Sequence, residues 1–248
     1  MRLEEKIAVI TGAGSGIGKA FALKFAGEGA DIVAVDIDFE KAEETCQTVQ
    51  RFGRKAIAVK TDISDHTSVQ DMKKESIKAF GKVDILVNSA GILRSTEFDK
   101  ITAQEWDMVM AVNMKGTFLC CQAFAADMKK QNYGRILNIA SNAGRDGGVS
   151  TCLAYSASKA AVIGFTRGLA KRMAGFGVTC NSIAPGTTKS DMLRNFTPEM
   201  LRELERTIPL GRLGDPDDYA ELGCFICSAA GGFMTGAVVD VNGGLFIG

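Results

Sequence analysis

Ile7-Ala-Val-Ile-Thr-Gly-Ala-Gly-Ser-Gly-Ile-Gly18 decides how this chain folds. Ile7–Thr11 reads as a short buried strand, and an amphipathic pattern over 16–28 reads as a helix. Between them fall four glycines in seven residues. Glycines let a backbone approach a ligand closely, and a helix N-terminus adds N–H donors and the positive end of its dipole. The turn Gly12, Ser15, Gly16, Ile17 and Gly18 is therefore expected to cradle a pyrophosphate. A plain strand–helix connection would gain nothing from glycines that weaken its helix start.

The same alternation continues outward. Strand-like runs at Asp31–Asp36, Ala56–Lys60, Val83–Asn88, Arg135–Ala140, Val178–Ile183 and Val238–Val241 are separated by helical patterns near 39–52, 65–80, 103–132, 154–175 and 216–229. Short apolar strands joined by amphipathic helices imply right-handed crossovers and a parallel sheet covered on both faces. The expectation is an α/β fold with seven strands. With no proline- or serine-rich linker, one domain is expected over 1–248. One segment breaks the rhythm: Pro185 to Pro216 contains all four prolines and one short helical pattern. Loops after strand C-termini hold the ligand in open α/β sheets, so 186–215 is expected to be a substrate lid.

Asp36 ends the second strand, 18 residues after Gly18. A carboxylate there can accept from both hydroxyls of an adenosine ribose and would repel a 2′-phosphate. The glycine turn holds no arginine or lysine, and Ser15 stands where a phosphate-binding cation would sit. Both facts favour NAD over NADP. Asp38 is a less well-placed substitute. Asp62, followed by Ile63, either accepts from the adenine amino group or caps the next helix.

Leu153-Ala-Tyr-Ser-Ala-Ser-Lys-Ala-Ala161 places Tyr155 and Lys159 one helical turn apart on one face. A free phenol titrates near ~10, and an ammonium beside it favours the phenolate. The pair is expected to act as a proton acceptor near neutral pH.

Composition narrows the function classes. The 29 basic and 29 acidic residues cancel, which argues against a general nucleic-acid or anionic-membrane binder. No apolar run approaches the ~20 residues of a membrane span. The first strand begins at Ile7, leaving no room for a signal peptide ahead of it. Seven scattered cysteines, an odd number, suit a reducing cytoplasm better than a disulfide framework. Cys224 and Cys227 lack a second pair with metal spacing, so packing is their expected role and no metal is expected. His66, the one histidine, sits at a helix start, which leaves no histidine catalysis.

Taken together, Thr-Gly-x-x-x-Gly-x-Gly, Asn88-Ser-Ala-Gly91, Asn113, Ser141, Tyr155-x-x-x-Lys159 and Pro185-Gly186 resemble the short-chain dehydrogenase/reductase family in order and spacing, over essentially the whole chain. Ser89 stands where that family usually has a second Asn. The resemblance implies a doubly wound Rossmann fold, with a cofactor half near 1–140 and a catalytic half near 141–248. It implies a nicotinamide dinucleotide as cofactor. Tyr155 would be general base or acid, Lys159 its modulator and a ribose ligand, and Ser141 the donor to the substrate oxygen. Asn113 would hold a water in a proton relay. Asn88, Ala90 and Gly91 would line the ribose and nicotinamide side. Pro185, Gly186, Thr188 and Ser190 would contact the carboxamide and phosphates.

The substrate expected is a small secondary alcohol or its ketone, with 3-oxoacyl chains on a carrier protein as the alternative and an inactive dinucleotide-binding regulatory module as the rival. Gln131 and Phe176 are neutral at two positions that resemble the family's carrier-docking arginines. Arg94 and Arg145 either hold an anionic substrate group or are solvated loop arginines, and Asn142 is expected to form a polar wall of the pocket. The resemblance also implies a homotetramer built on the helices over 103–132 and 154–175.

Overall fold

The chain was described from a computed structural model, which covers residues 1–148, 151–189 and 196–248. Seven strands form one parallel sheet in the order β3-β2-β1-β4-β5-β6-β7. They are β1 (Ile7–Thr11), β2 (Asp31–Asp36), β3 (Ala56–Lys60), β4 (Ile85–Asn88), β5 (Gly134–Ile139), β6 (Val178–Pro185) and β7 (Val238–Val241). The central strands β1, β4, β5 and β6 are buried at every position. That is why they read as unbroken apolar runs: helices cover both faces.

On one face α1 (Gly16–Gly27) and α9 (Pro216–Cys227) pack together, with α2 (Phe39–Gln50) beside α1. Phe21 and Phe25 meet edge to face at 5.6 Å, in the same core as Tyr219. On the other face lie α3 (His66–Phe80), α5 (Thr117–Gln131) and α7 (Leu153–Met173), over a core holding Met72, Phe124 and Met128. The strand order reverses beside β1, between β2 and β4. Open sheets of this kind bind ligands at that switch point, at the carboxyl ends of the strands.

The helix expected over 103–132 is interrupted. It runs as α4 (Ala103–Met110), a wide π turn at Ala111–Gly116, and α5. The turn is held open by its own contacts. Asn113 anchors to the main chain of Ile92, Thr117 Oγ1 donates to Asn113 O at 2.8 Å, and Ile63 fills the space beside Gly116, where a Cβ would lie 2.7 Å from it. Such turns mark functional sites in helices.

By length and apolar composition the stretch Ala103–Gln131 could cross a membrane, contrary to the expectation from the sequence. In the fold it is a core helix. Half of its most apolar window is buried, and Asp127 pairs with Lys73 of α3 at 2.7 Å.

The base of the 186–215 segment is zipped shut. Lys189 N–H donates to Gly214 O and Gly214 N–H to Thr187 O, both at 2.9 Å. Within the segment, α8 (Pro198–Thr207) buries no residue. The short α6 (Ala143–Asp146) follows β5 directly.

Candidate active site

The glycine turn is shaped by two close approaches. Gly12 adopts φ +69°, and a Cβ there would lie 2.9 Å from the Ala90 backbone; one at Gly18 would lie 2.1 Å from Gly12 O. Only glycine fits either position. Two threonines hold the turn. Thr11 Oγ1 accepts from the Ser89 and Ala90 N–H groups at 3.1 and 3.2 Å, and Thr45 Oγ1 donates to Ala13 O at 2.9 Å. Thr45 carried no sequence signal, because its role depends on α2 returning against the turn.

The turn fits a dinucleotide. Gly16 lies at φ +52° with no atom within 4 Å of where a Cβ would sit, so its backbone faces open space. Ser15 is the N-cap of α1 but makes no side-chain cap, which leaves its exposed hydroxyl and the first-turn N–H groups to a phosphate. Asp36 is held beside the turn: Oδ2 accepts from Gly14 N–H at 2.9 Å and Oδ1 from Asp38 N–H at 3.1 Å. Each oxygen keeps a lone pair for a ribose hydroxyl.

The other predicted residues have partners within the fold, and one alternative for Asp62 falls away. Asp62 does not cap α3; Asp65 does, accepting from Ser68 N–H at 2.7 Å. Asp62 Oδ1 instead accepts from the N–H and hydroxyl of Ser64, at 2.9 and 2.7 Å. Ile63 is buried against the π turn. Asn88 lies below the surface, where its amide donates to Asn138 Oδ1 at 2.8 Å and to Cys121 Sγ at 3.2 Å. The Thr188 hydroxyl is engaged with Gly186 O and with Tyr219 Oη, at 2.9 and 2.7 Å. Ser190 lies outside the described residues. Pro185 O accepts from Asn142 N–H and Gly186 N–H donates to Val241 O, so both are structural joints at the sheet's end.

The structure brings the four residues expected to be catalytic near one another. Tyr155 and Lys159 rise from one face of α7, and the Lys159 Nζ lies 5.8 Å from the Tyr155 ring centroid. Ser141 follows β5 with its hydroxyl close enough to favour the Tyr155 phenolate. Asn113 Oδ1 and Lys159 Nζ flank Gly91, where a Cβ would lie 3.1 and 3.5 Å from them. The Asn113 side chain is fully occupied as a strap: Oδ1 accepts from Ile92 N–H at 2.8 Å, while Nδ2 donates to Ile92 O and Ser158 Oγ, both at 3.0 Å.

The electrostatics differ from the sequence expectation. Burial pushes the Tyr155 phenol up, with the Ser141 hydroxyl pulling it partly back. Burial lowers Lys159 to about 8. Lys159 directs its bond to Ile139 O at 2.7 Å. Desolvation therefore outweighs the ammonium–phenolate attraction expected from their spacing.

Arg145 does not face a substrate. Its guanidinium pairs with Asp240 at 3.2 Å and stacks on Phe246, 4.8 Å from the ring centroid. Asn142 Oδ1 accepts from the Ser141 hydroxyl at 3.4 Å. Arg94 is exposed, its guanidinium donating to Leu93 O at 3.2 Å and its carbonyl accepting from Cys152 N–H at 2.9 Å. Among the described residues no carboxylate pairs with its guanidinium. All seven cysteines are buried thiols, Cys224 and Cys227 included, and among the described residues no cluster has the makings of a metal site.

Comparison with known proteins agrees with this geometry. The short chain dehydrogenase model matches residues 6–201. The (2S)-[(R)-hydroxy(phenyl)methyl]succinyl-CoA dehydrogenase subunit BbsD of Thauera aromatica is 41% identical over 98% of both chains. The 3-oxoacyl-[acyl-carrier-protein] reductase FabG of Thermotoga maritima is 38% identical over 100% of both. A solved structure of ribose-5-phosphate isomerase from Brucella melitensis superposes with a TM-score of 0.90 at 34% identity, over 98% of this chain and 93% of that one. On the motif set, the doubly wound sheet and the full-length match, the chain belongs to the short chain dehydrogenase family.

Proposed function

We propose that this protein is an NAD(H)-dependent oxidoreductase acting between a small secondary alcohol and its ketone. The observation that carries the reading is the convergence of Ser141, Tyr155 and Lys159 beside a glycine turn that presents Asp36. The nicotinamide, when bound, supplies the hydride chemistry. The protein supplies the proton chemistry and the positioning. In oxidation the Tyr155 phenolate oxygen takes the alcohol proton; in reduction the phenol returns it. The Ser141 hydroxyl donates to the substrate oxygen and steadies its developing charge. With its burial-lowered pKa of about 8, Lys159 can exchange a proton near neutral pH while holding the nicotinamide ribose. Asn113 serves by fixing the loop at Ile92 against Ser158 of α7. Asp36 selects NAD through the ribose hydroxyls.

The relatives named FabG favour a second reading, reduction of a carrier-bound 3-oxoacyl chain. Two observations weigh against it. The Gln131 amide turns inward and donates to Val83 O at 3.0 Å, and Phe176 is covered by Lys129 at 4.8 Å. Neither side chain is itself the cation that a strongly acidic carrier would seek, although the Lys129 ammonium lies beside Phe176. Exposed Arg94 is free to meet an anionic substrate group. A cytoplasmic homotetramer completes the proposal, with the exposed apolar residues Trp106, Met108 and Phe118 on one interface and Phe233 and Ile247 near another.

The test is catalytic efficiency with NAD and with NADP on a panel of small free alcohols, hydroxyacyl-CoA thioesters and a 3-oxoacyl carrier protein. The proposal expects NAD and the free alcohols to lead. A large advantage for the carrier substrate would install the second reading.

A further inference from the structure

Arg145 and Asp240 form the most enclosed ion pair near the site, with side chains 17% and 20% exposed. Their contact joins elements far apart in sequence. Arg145 lies in α6, four residues past Ser141. Asp240 lies in β7 and pairs with Ala184 of β6. Phe246, in the C-terminal tail, covers the guanidinium at 4.8 Å, and its carbonyl accepts from Asn242 Nδ2 at 3.2 Å. Asp240 Oδ1 is buried without a partner among the described residues. Such a carboxylate is costly to keep unless its cation stays in place.

On its opposite side α6 is pressed against the catalytic helix. A Cβ on Gly144 would lie 2.7 Å from Lys159 C and 2.8 Å from Ala160 N. These are backbone atoms that cannot step aside. The loop is thus wedged between the turn that carries Lys159 and the Arg145–Asp240 pair. It begins at Ser141, whose hydroxyl accepts from Ala143 N–H at 3.1 Å. Any shift of α6 moves Ser141 relative to Tyr155.

We propose that Arg145 is a positioning residue: through Asp240 and the Phe246 tail it clamps α6 against α7 and fixes the Ser141 hydroxyl at the site. The inference rests on the oxidoreductase reading above for its kinetic consequence, but not for its structural one. The clamp predicts a loss in kcat rather than in cofactor affinity, because the glycine turn and Asp36 lie on the other half of the sheet.

The experiment uses the full chain as the Arg145→Leu/Asp240→Leu double variant. Exchanging both charges for apolar groups avoids leaving the carboxylate uncompensated, so the fold is kept. The single variant Arg145→Lys keeps the charge but loses the planar stacking. Amide hydrogen exchange over residues 141–147 is expected to accelerate at least about tenfold in the double variant. kcat on the best alcohol is expected to fall by about 10- to 100-fold, with KM and the NAD dissociation constant within about twofold, as for a slightly misplaced catalytic group. Arg145→Lys is expected to recover part of kcat. Unchanged exchange over 141–147 overturns the clamp, as does a double variant with kcat within twofold of the parent. If the parent chain turns over no alcohol, the oxidoreductase reading fails, and the exchange comparison alone decides the clamp.

Discussion

Lys159 is buried with no carboxylate paired to it among the described residues, and its energetics can be measured apart from catalysis. Its folded pKa of about 8 lies below the ordinary 10.5. Between those values the unfolded chain binds more protons than the folded one, so stability rises as pH rises through that window. Below it, the charged lysine costs the fold roughly 3 kcal/mol. Lys159→Met removes that cost and also the bond to Ile139 O, for a net gain of about 2 kcal/mol at pH 7. Denaturant melts at pH 7 and pH 10 check this: the gain should shrink at the higher pH, and no gain at pH 7 would mean the charge is not held at a cost. At Asp36, a charge-assisted bond to the ribose predicts that Asp36→Ala loses about 1.5–3 kcal/mol in NAD binding and narrows the gap to NADP. Titration of both cofactors against both proteins measures it; equal NAD affinity in the variant would remove Asp36 from the site.

Among the elements, α6 shows how packing outside the motifs shapes the site. Gly144→Ala would push a methyl into the backbone at Lys159. Overpacking of that kind costs about 1–3 kcal/mol, and thermal melts should show it together with a fall in kcat. An Ala variant of full stability and activity would show that α6 has slack. The strands were readable in advance, because β1, β4, β5 and β6 are buried on both sides and leave unbroken apolar runs. The turn at Gly12–Gly18 was readable because only glycine meets its close approaches. The π turn was not: it arises where Asn113 reaches Ile92 and Ile63 fills the space beside Gly116, contacts between segments far apart in sequence. The pairing of Arg145 with Asp240 was hidden for the same reason, and so Arg145 was read as either a ligand for substrate or a solvated loop arginine. The direction of the Tyr155 shift was missed because spacing reports which groups are neighbours but not how deeply they are buried.

Across the whole molecule, the glycine turn after β1, Ser141 after β5 and the Thr187–Gly214 joint after β6 all follow the carboxyl ends of the sheet's strands. Exposed apolar residues include Trp106 and Met108 on α4, Phe118 on α5, and Phe233 and Ile247 in the C-terminal region. Covering them in a closed assembly with two-fold axes predicts a tetramer, and sedimentation velocity at micromolar concentration should find it; a stable monomer would contradict that assembly. Proton transfer by Tyr155 is the claim on which the rest depends. In oxidation the phenolate is the active form, so turnover should rise with pH, and in reduction it should fall. The most direct test is Tyr155→Phe with NAD and the best alcohol, measured as NADH formation beside NAD affinity. Removing the hydroxyl while keeping the ring should cut turnover by about 100-fold or more and leave NAD binding within about twofold. Near-parental turnover in that variant would contradict the claim.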